Sequence, residues 1–259
     1  MHTRIAVMAA VAGYLIGSIS FARIVIRLFA PEQAAQGLAI DVPGTESSFR
    51  SDVISATTVN LQLGPRYGCL TSILDMLKVV APALVLRLWQ PQVPYYLILA
   101  AMGTLGHIWP IYYRFQGGRG VSTTLGGMLV VDWIGVLVTN LIGLGLGALL
   151  PSFYVVGIPL MIPWLWFRHH DWRLVAYAAA VTLLNGIALI PEARQIVQLR
   201  RDGAMEELMA DLPVRLGVAS NGDQSERLTL HRMVVNLLSS SGNKRRGKPE
   251  DPSGNPSQE

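Results

Sequence analysis

The sequence predicts an all-α integral membrane protein, a polytopic bundle of about seven transmembrane helices. Hydrophobic residues make up 51% of the 259 residues, charged residues only 15%, and the mean hydropathy is +0.39. A soluble domain of this length would need far more charge on its surface. The apolar residues are also gathered into segments, several of which reach the roughly 17–25 residues that a helix needs to cross hydrocarbon.

The predicted helices follow these apolar segments in chain order. They are Ile5–Ile26, Cys69–Leu88, Tyr95–Tyr113, Val121–Val131, Trp133–Leu150, Phe153–Phe167 and Leu174–Ile190. Val121–Val131 is short for a span, and Asp132 is typical of a tight polar turn before the next helix. Six helices are therefore the alternative. The first segment lacks a cleavage site followed by a polar mature chain, so we expect it to be retained.

Three domains are predicted: a transmembrane domain at 1–191, a mixed and partly amphipathic cytoplasmic segment at 192–238, and a tail at 239–259. The tail is dense in Ser, Gly, Pro and charge, a composition that predicts disorder. Within the first domain, Pro31–Arg66 is polar, rich in Ser and Thr, and is predicted to be a loop.

Charge distribution predicts the orientation in the membrane. Lys and Arg concentrate in Arg50–Arg66, in Arg114–Arg119 and after Arg194, which favours a cytoplasmic location for these parts and an outer N-terminus. The two arginines of Arg168–Arg173 conflict with this, since that loop would face outward. The net charge of +4 suits an anionic membrane surface. No basic stripe is interleaved with aromatic residues, so nucleic acid is not an expected partner.

The most informative stretch is GHIWPIYYRFQGGRGVSTTLG, residues 106–126, because it places a glycine-dense cationic turn between two apolar segments. Gly117, Gly118 and Gly120 lack Cβ atoms, so backbone N–H groups can approach an anion closely. Arg119 adds a charged planar fork, and the next helix aims its N-terminus at the same point. This pattern favours phosphate binding at a membrane face; an ordinary tight turn with an interfacial arginine is the alternative.

Several polar residues lie within apolar segments, where hydrocarbon makes them costly. Asp75 and Lys78 are three residues apart and share a helix face, so they either form an ion pair or contact a substrate. His107 either binds an anion or is hydrogen-bonded in the bundle. Ser18 and Ser20 favour tight helix packing over a nucleophilic role. No His/Cys/carboxylate cluster indicates a metal, and no cofactor is expected.

Residues 106–126 resemble the second motif of the PlsY family of bacterial acyl-phosphate:glycerol-3-phosphate acyltransferases, approximately GHxxPxxxxFxGGKGVATxxG. The matching positions are Gly106, His107, Pro110, Phe115, Gly117, Gly118, Gly120, Val121, Thr123 and Gly126. Gly17–Phe21 resembles the family's GSIPF, and Leu63–Lys78 resembles its LGxxxG…LDxxKG. Arg119 stands where the family usually has Lys.

Two other family motifs are degraded here. The motif GSGNIGATN aligns with Arg50–Thr58, where Ser51 and Thr57 are kept but the glycines and both asparagines are lost. The closest register for HRxNIxRLxxGxE begins at Glu192, so the His is missing and the Asn becomes Gln. A second candidate at 230–236 has His–Arg but the wrong spacing, and no catalytic role is transferred to either.

The resemblance implies acyl transfer from a fatty acyl phosphate to the sn-1 hydroxyl of glycerol 3-phosphate, which gives lysophosphatidic acid for phospholipid synthesis. It implies Ser51, His107 and Arg119 as catalytic residues. The residues implied to bind substrate phosphate are Gly117, Gly118, Arg119, Gly120, Thr57 and Lys78. Acyl phosphate, glycerol 3-phosphate and membrane lipids are the implied partners, and the implied location is the bacterial inner membrane, with active face and tail cytoplasmic.

Two hypotheses of different class remain open. The chain is either a divergent acyltransferase or a non-catalytic membrane paralogue with residual phosphate or lipid binding. A transporter or channel is a third reading, supported by polytopic character and the glycine-rich Gly143–Gly147 segment, which more simply permits close helix packing.

Overall fold

The computed structural model of the chain describes residues 2–33, 38–41, 48–51, 53–149 and 156–203. The chain divides into two compact units, Met1–Glu207 and Leu208–Glu259, and all the described residues belong to the first. The predicted segment 192–238 begins inside the last helix. Its residues from 204 onward, and the whole predicted tail, lie outside the described residues.

The part of the chain described here forms a bundle of eight α-helices with one β-hairpin. The helices are α1 (Thr3–Gly17), α2 (Phe21–Phe29), α3 (Ala56–Leu63), α4 (Pro65–Trp89), α5 (Tyr95–Ile108), α6 (Val121–Leu149), α7 (Gly157–His169) and α8 (Trp172–Arg201). Strands β1 (Leu38–Asp41) and β2 (Ser48–Ser51) pair antiparallel, with Leu38 opposite Ser51. The predicted class of a helical membrane bundle is confirmed.

Seven spans fit this arrangement: α1 with α2, then α4, α5, the two parts of α6, α7 and α8. Four apolar stretches among the described residues are long enough to cross a membrane: Thr3–Phe29, Pro65–Trp89, Val121–Gly145 and Trp172–Arg201. In α4 the buried residues Gly68, Thr71, Asp75, Lys78, Val79 and Ala83 form one stripe at helical spacing. The opposite face exposes large apolar side chains such as Leu77 and Leu88, which suits contact with lipid.

The first predicted helix, Ile5–Ile26, is not continuous, because the chain breaks at 18–20 and restarts as α2. Ser20 caps α2 by accepting a hydrogen bond from the backbone N–H of Arg23. The Ser18 hydroxyl donates to the carbonyl of Tyr14 at 2.8 Å, so it satisfies an acceptor in the last turn of α1. The break leaves the Ile19 carbonyl without a helical partner, inside the bundle.

Helices α1 and α5 approach closely because both lack side chains where they meet. A Cβ atom on Gly13 or Gly17 would collide with the backbone of α5, and one on Gly106 would collide with the backbone around Tyr14. Transmembrane helices associate through such small residues, since apolar surface alone gives no preference for protein over lipid. The glycines therefore set the spacing between α1 and α5, and with it the position of the chain after Ile108.

Helix α6 is interrupted at Asp132, where the sequence analysis placed a turn. The backbone of Asp132 is extended (φ −155°, ψ 96°), and its carboxylate caps the second part of α6 by accepting from the N–H of Gly135 at 3.0 Å. The same carboxylate contacts Trp164 Nε1 at 3.1 Å, His169 Nε2 at 3.0 Å and Arg168 Nε at 2.9 Å. These contacts tie the break to the end of α7.

The carbonyls that the break exposes are also satisfied. Arg87 of α4 donates to the carbonyls of Val130 and Val131, the last residues before Asp132. Beyond α7, the half-buried Asp171 accepts hydrogen bonds from Arg173, which lower the pKa of its carboxyl group. Both arginines of the loop at 168–173 are thus paired with aspartates.

Several predicted boundaries differ from the structure, three of them by the most. Pro31–Arg66 is not all loop, because it contains the β-hairpin and α3, and α3 packs on α2 through a small apolar cluster that includes Ile26 and Val59. Helix α5 ends at Ile108 instead of Tyr113, since Pro110 lacks an N–H and disfavours helix in the residue before it. Helix α8 runs on past Ile190 to Arg201.

The glycine contact between α1 and α5 gives a stability test. We expect Gly106→Ala to lower stability by about 1–3 kcal/mol, because the added methyl group overpacks a backbone contact. Thermal unfolding of the purified protein in detergent measures this. Gly186→Ala is the matched control, since a Cβ there meets nothing within 4 Å, and equal melting temperatures for the two variants would contradict the predicted close contact.

Candidate anion-binding site

Lys78 joins three chain segments inside the bundle. Its ammonium lies 2.8 Å from Asp75 Oδ1, 2.5 Å from the Ile19 carbonyl and 2.9 Å from His107 Nδ1. Asp75 is 1% exposed and Lys78 is 8% exposed. An ammonium has three N–H donors, and all three are used here. The ion pair considered from the spacing of Asp75 and Lys78 is present, and Lys78 has no donor left for a substrate phosphate in this arrangement.

His107 is oriented by Lys78. Because its Nδ1 accepts from the ammonium, the hydrogen-bond network assigns a neutral ring with the proton on Nε2. Nε2 lies against Gly118, where a Cβ atom would collide with the ring. Within the described residues Nε2 makes no hydrogen bond, so His107 presents an N–H donor to the glycine-dense loop.

The loop 116–120 lies directly on the end of α5. Gly117 and Gly118 are buried against His107, and the N–H of Gly118 donates to the His107 carbonyl at 3.0 Å. Gly120 has φ +80°, a conformation that favours glycine, and its carbonyl accepts from the Thr123 hydroxyl at 2.9 Å. The loop therefore needs glycine for its close approach and for its backbone conformation.

The loop leads into the N-terminus of α6 with backbone donors unused. The N–H groups of Arg119, Gly120 and Val121 have no partner among the hydrogen bonds of the described residues. Such groups at the start of a helix attract anions, since the aligned peptide dipoles add a partial positive charge. Together with the Nε2 donor of His107, they make this loop suited to a phosphate group.

Arg119 carries the only charged side chain within loop 116–120, and it is paired with Glu192 of α8. Arg119 Nε lies 2.7 Å from Glu192 Oε1, and Nη2 lies 2.6 Å from the same oxygen. The two side chains are 17% and 9% exposed. In the sequence, Glu192 stands only in a degraded motif, which indicated no role for it. Its separation of 73 residues from Arg119 left no local signal of the pair.

Arg23 is a second residue at this site that the sequence motifs do not mark. Its Nη2 donates to the Gln116 carbonyl at 3.0 Å, and its guanidinium lies 4.9 Å from the centre of the Tyr113 ring. These contacts hold the beginning of the loop against α2. The sequence signal that could have identified Arg23 is a charged residue inside an apolar segment, just after Gly17–Ser20.

Two predicted site residues are not brought to the loop by any contact among the described residues. Thr57 is exposed in the first turn of α3, which packs on α4 and α2. The structure describes only the backbone of Ser51, at the end of β2, and that strand contacts α8. The roles of Ser51 and Thr57 therefore stay predictions.

Most of the chain is similar to known proteins. A family model described as glycerol-3-phosphate acyltransferase matches residues 7–201. A glycerol-3-phosphate acyltransferase of Legionella pneumophila (strain Corby) is 33% identical over 128 residues, which cover 49% of this chain and 42% of the relative. The chain thus spans about two fifths of the length of that relative. One of Methylococcus capsulatus is 28% identical over 209 residues, covering 79% of this chain and 92% of the relative.

Solved structures show a similar fold. Crystal structures of PlsY, an integral membrane glycerol 3-phosphate acyltransferase, match in a lysophosphatidic acid form and a glycerol 3-phosphate form. Their TM-scores are 0.62 and 0.61, with 22% and 23% identity, and the matches cover 74% of this chain and 92% of each crystallised chain. At this identity the likeness shows the shared fold.

The Lys78 contacts generate a prediction about stability. We expect Lys78→Met to destabilise the protein by about 3–5 kcal/mol, because it leaves the carboxylate of Asp75 buried without its partner. The double variant Asp75→Leu/Lys78→Met should recover part of this loss, since no charge remains buried. Thermal unfolding of all three proteins in one detergent tests this, and a single variant as stable as the parent would contradict it.

Proposed function

The chain belongs to the glycerol-3-phosphate acyltransferase family, and from this membership we propose that it transfers a fatty acyl group from acyl phosphate to the sn-1 hydroxyl of glycerol 3-phosphate. The product is lysophosphatidic acid for phospholipid synthesis. The main support for the proposal is the position of the glycine loop. The loop lies against Nε2 of His107 and leads into the N-terminus of α6, where backbone N–H groups are unused.

The proposed reaction suits such a site. The sn-1 oxygen bonds to the acyl carbon, and the bond from that carbon to the phosphate oxygen breaks. Phosphate leaves with the electron pair and takes up the proton that the hydroxyl loses. An acyl phosphate is a mixed anhydride with a good leaving group, so a covalent nucleophile on the protein is not required. The protein has to hold two phosphate groups and align one hydroxyl with one carbonyl.

The proposed roles follow from the contacts. Gly117, Gly118 and Gly120 let the backbone approach a phosphate, and Arg119 supplies charge. His107 donates a hydrogen bond from Nε2, so in this tautomer it does not act as a base at that atom. Ser51 remains a proposed catalytic residue and Thr57 a proposed phosphate ligand, on the resemblance of their motif alone.

Lys78 has a different proposed role from the one the resemblance implied. Its three donors are engaged by Asp75, Ile19 and His107. We therefore propose that Lys78 is a positioning residue that holds the ring of His107, and that it does not contact the substrate phosphate directly.

The names of the related structures support the proposed acceptor and product, because PlsY was crystallised in a glycerol 3-phosphate form and a lysophosphatidic acid form. We further propose the bacterial inner membrane as the location, with the site and the C-terminal tail on the cytoplasmic side. Arg23, Arg119, Arg200 and Arg201 support this, since cationic residues are enriched on that side. Membrane lipid would present the acyl chain of the donor.

A non-catalytic paralogue is the second candidate function. The pairing of Arg119 with Glu192 favours it, because one guanidinium edge that could bind a phosphate is occupied by a carboxylate of the chain itself. Such a protein would keep residual phosphate or lipid binding without turnover.

Acyl transfer with palmitoyl phosphate and labelled glycerol 3-phosphate separates the two candidates. We expect the purified protein to form lysophosphatidic acid from palmitoyl phosphate but not from palmitoyl-CoA. Arg119→Ala should abolish this activity, because the permanent charge in the loop is lost. The variant should still insert and purify normally.

Arg114→Ala is the matched control for Arg119→Ala, since Arg114 is an exposed arginine just before the loop. It should retain activity. Undiminished turnover by Arg119→Ala would refute the assignment of that residue, and no product from well-folded parent protein would favour the paralogue.

The proposed donor role of His107 is tested by two substitutions. His107→Gln keeps an N–H donor of similar reach, whereas His107→Phe keeps only the ring volume. We expect the Gln variant to retain more activity, with the loss in the Phe variant about 10- to 100-fold in kcat/KM, the size expected for one hydrogen bond to a charged group. Equal losses in steady-state assays of the two variants would contradict a donor role.

A further inference from the structure

We propose that Glu192 is an internal competitor at the anion site, whose carboxylate holds Arg119 when the site is empty and is displaced by the phosphate group of a ligand. This inference rests on the proposed function, because it assumes that the loop containing Arg119 binds a phosphate. It adds a regulatory contact to that site, supplied by α8.

The geometry of the pair supports competition. Nε and Nη2 form the side edge of the guanidinium, one of two edges that can make a pair of parallel hydrogen bonds with a carboxylate or a phosphate. Both atoms point to Glu192 Oε1, at 2.7 and 2.6 Å. A phosphate that used this edge of Arg119 would have to replace the carboxylate.

Burial makes the competition strong. The Glu192 side chain is 9% exposed and that of Arg119 is 17% exposed, so solvent and salt screen the pair less than they would a surface pair. For comparison, the pair between Asp171 and Arg173 is 29% and 48% exposed. The need to displace Glu192 therefore lowers the apparent affinity for an anion that binds this edge of Arg119, and a dianionic phosphate competes better than a monoanion.

The position of Glu192 in α8 allows its carboxylate to move, because it lies next to a point where the helix can bend. It directly follows Pro191, which lies inside the helix. Proline supplies no N–H to the preceding turn and its ring crowds the carbonyl four residues earlier, so helices bend at such sites. A small change of bend at Pro191 would carry Glu192 away from Arg119, while the earlier part of α8 stays bound through Asn185 and Thr124.

The pairing is a feature of this chain's own residues. In the motif register given above, Glu192 stands where the resembled family has His, and Arg119 stands where it has Lys. A Lys–His pair would leave the loop cationic, whereas Arg119 with Glu192 is neutral.

The test is binding of glycerol 3-phosphate and of inorganic phosphate to the full chain in detergent, measured by isothermal titration calorimetry. We expect Glu192→Gln to bind both about tenfold more tightly than the parent, which corresponds to about 1.4 kcal/mol. Asp171→Asn is the matched control, because it also removes a carboxylate paired with an arginine but lies at the other end of α8. It should bind as the parent does.

Glu192→Asp keeps the charge on a side chain one methylene shorter and should bind with intermediate affinity, so the inference stays testable if Glu192→Gln does not fold. Unchanged or weaker binding by whichever Glu192 variant folds overturns the competitor role. Acyl transfer is assayed on the same preparations. Tighter binding without transfer by any protein supports the competitor and refutes the proposed enzyme. Transfer without tighter binding by the Glu192 variants supports the proposed enzyme and refutes the competitor role of Glu192.

Discussion

The ammonium of Lys78 is the interaction on which the rest of the structure depends. Within a bilayer no water is present to satisfy a free carbonyl, so a broken helix needs a donor from the protein. The first span breaks after α1, and Lys78 supplies that donor to Ile19. Its remaining donors bind Asp75 and His107. These contacts fix the positions of α4, α5 and the break relative to one another. The orientation of the imidazole, and then the seat of the glycine loop, follow from this.

Glycine has two different functions around that centre. In α1 and α5 its absent side chain lets two backbones touch, which places the end of α5 against the break in the first span. In the loop it lets the chain fold back onto His107, and at Gly120 it permits a left-handed conformation. The first use determines where the imidazole is, and the second determines what can approach it.

The sequence predicted those features that local pattern can encode. Apolar segments gave the spans, Asp132 marked the break in α6 because an acid in an apolar run is costly, and spacing alone placed Asp75 beside Lys78. The break at 18–20 was missed because apolar residues continue through it and only the Ser20 cap signals it. Ile19 acts through its backbone carbonyl, and Glu192 acts on a partner distant in sequence. A local sequence pattern indicates neither contact. Helix α3 was missed because its polar composition resembles a loop.

The contacts of Asp132 impose an order on how the protein is made. Trp164, Arg168 and His169, which surround the carboxylate, emerge from the ribosome more than 30 residues after it. Until they arrive, an acidic side chain at a helix break has only the backbone of Gly135 in the following turn. The contacts that tie the break at Asp132 to the end of α7 can therefore form only after α7 has been synthesised.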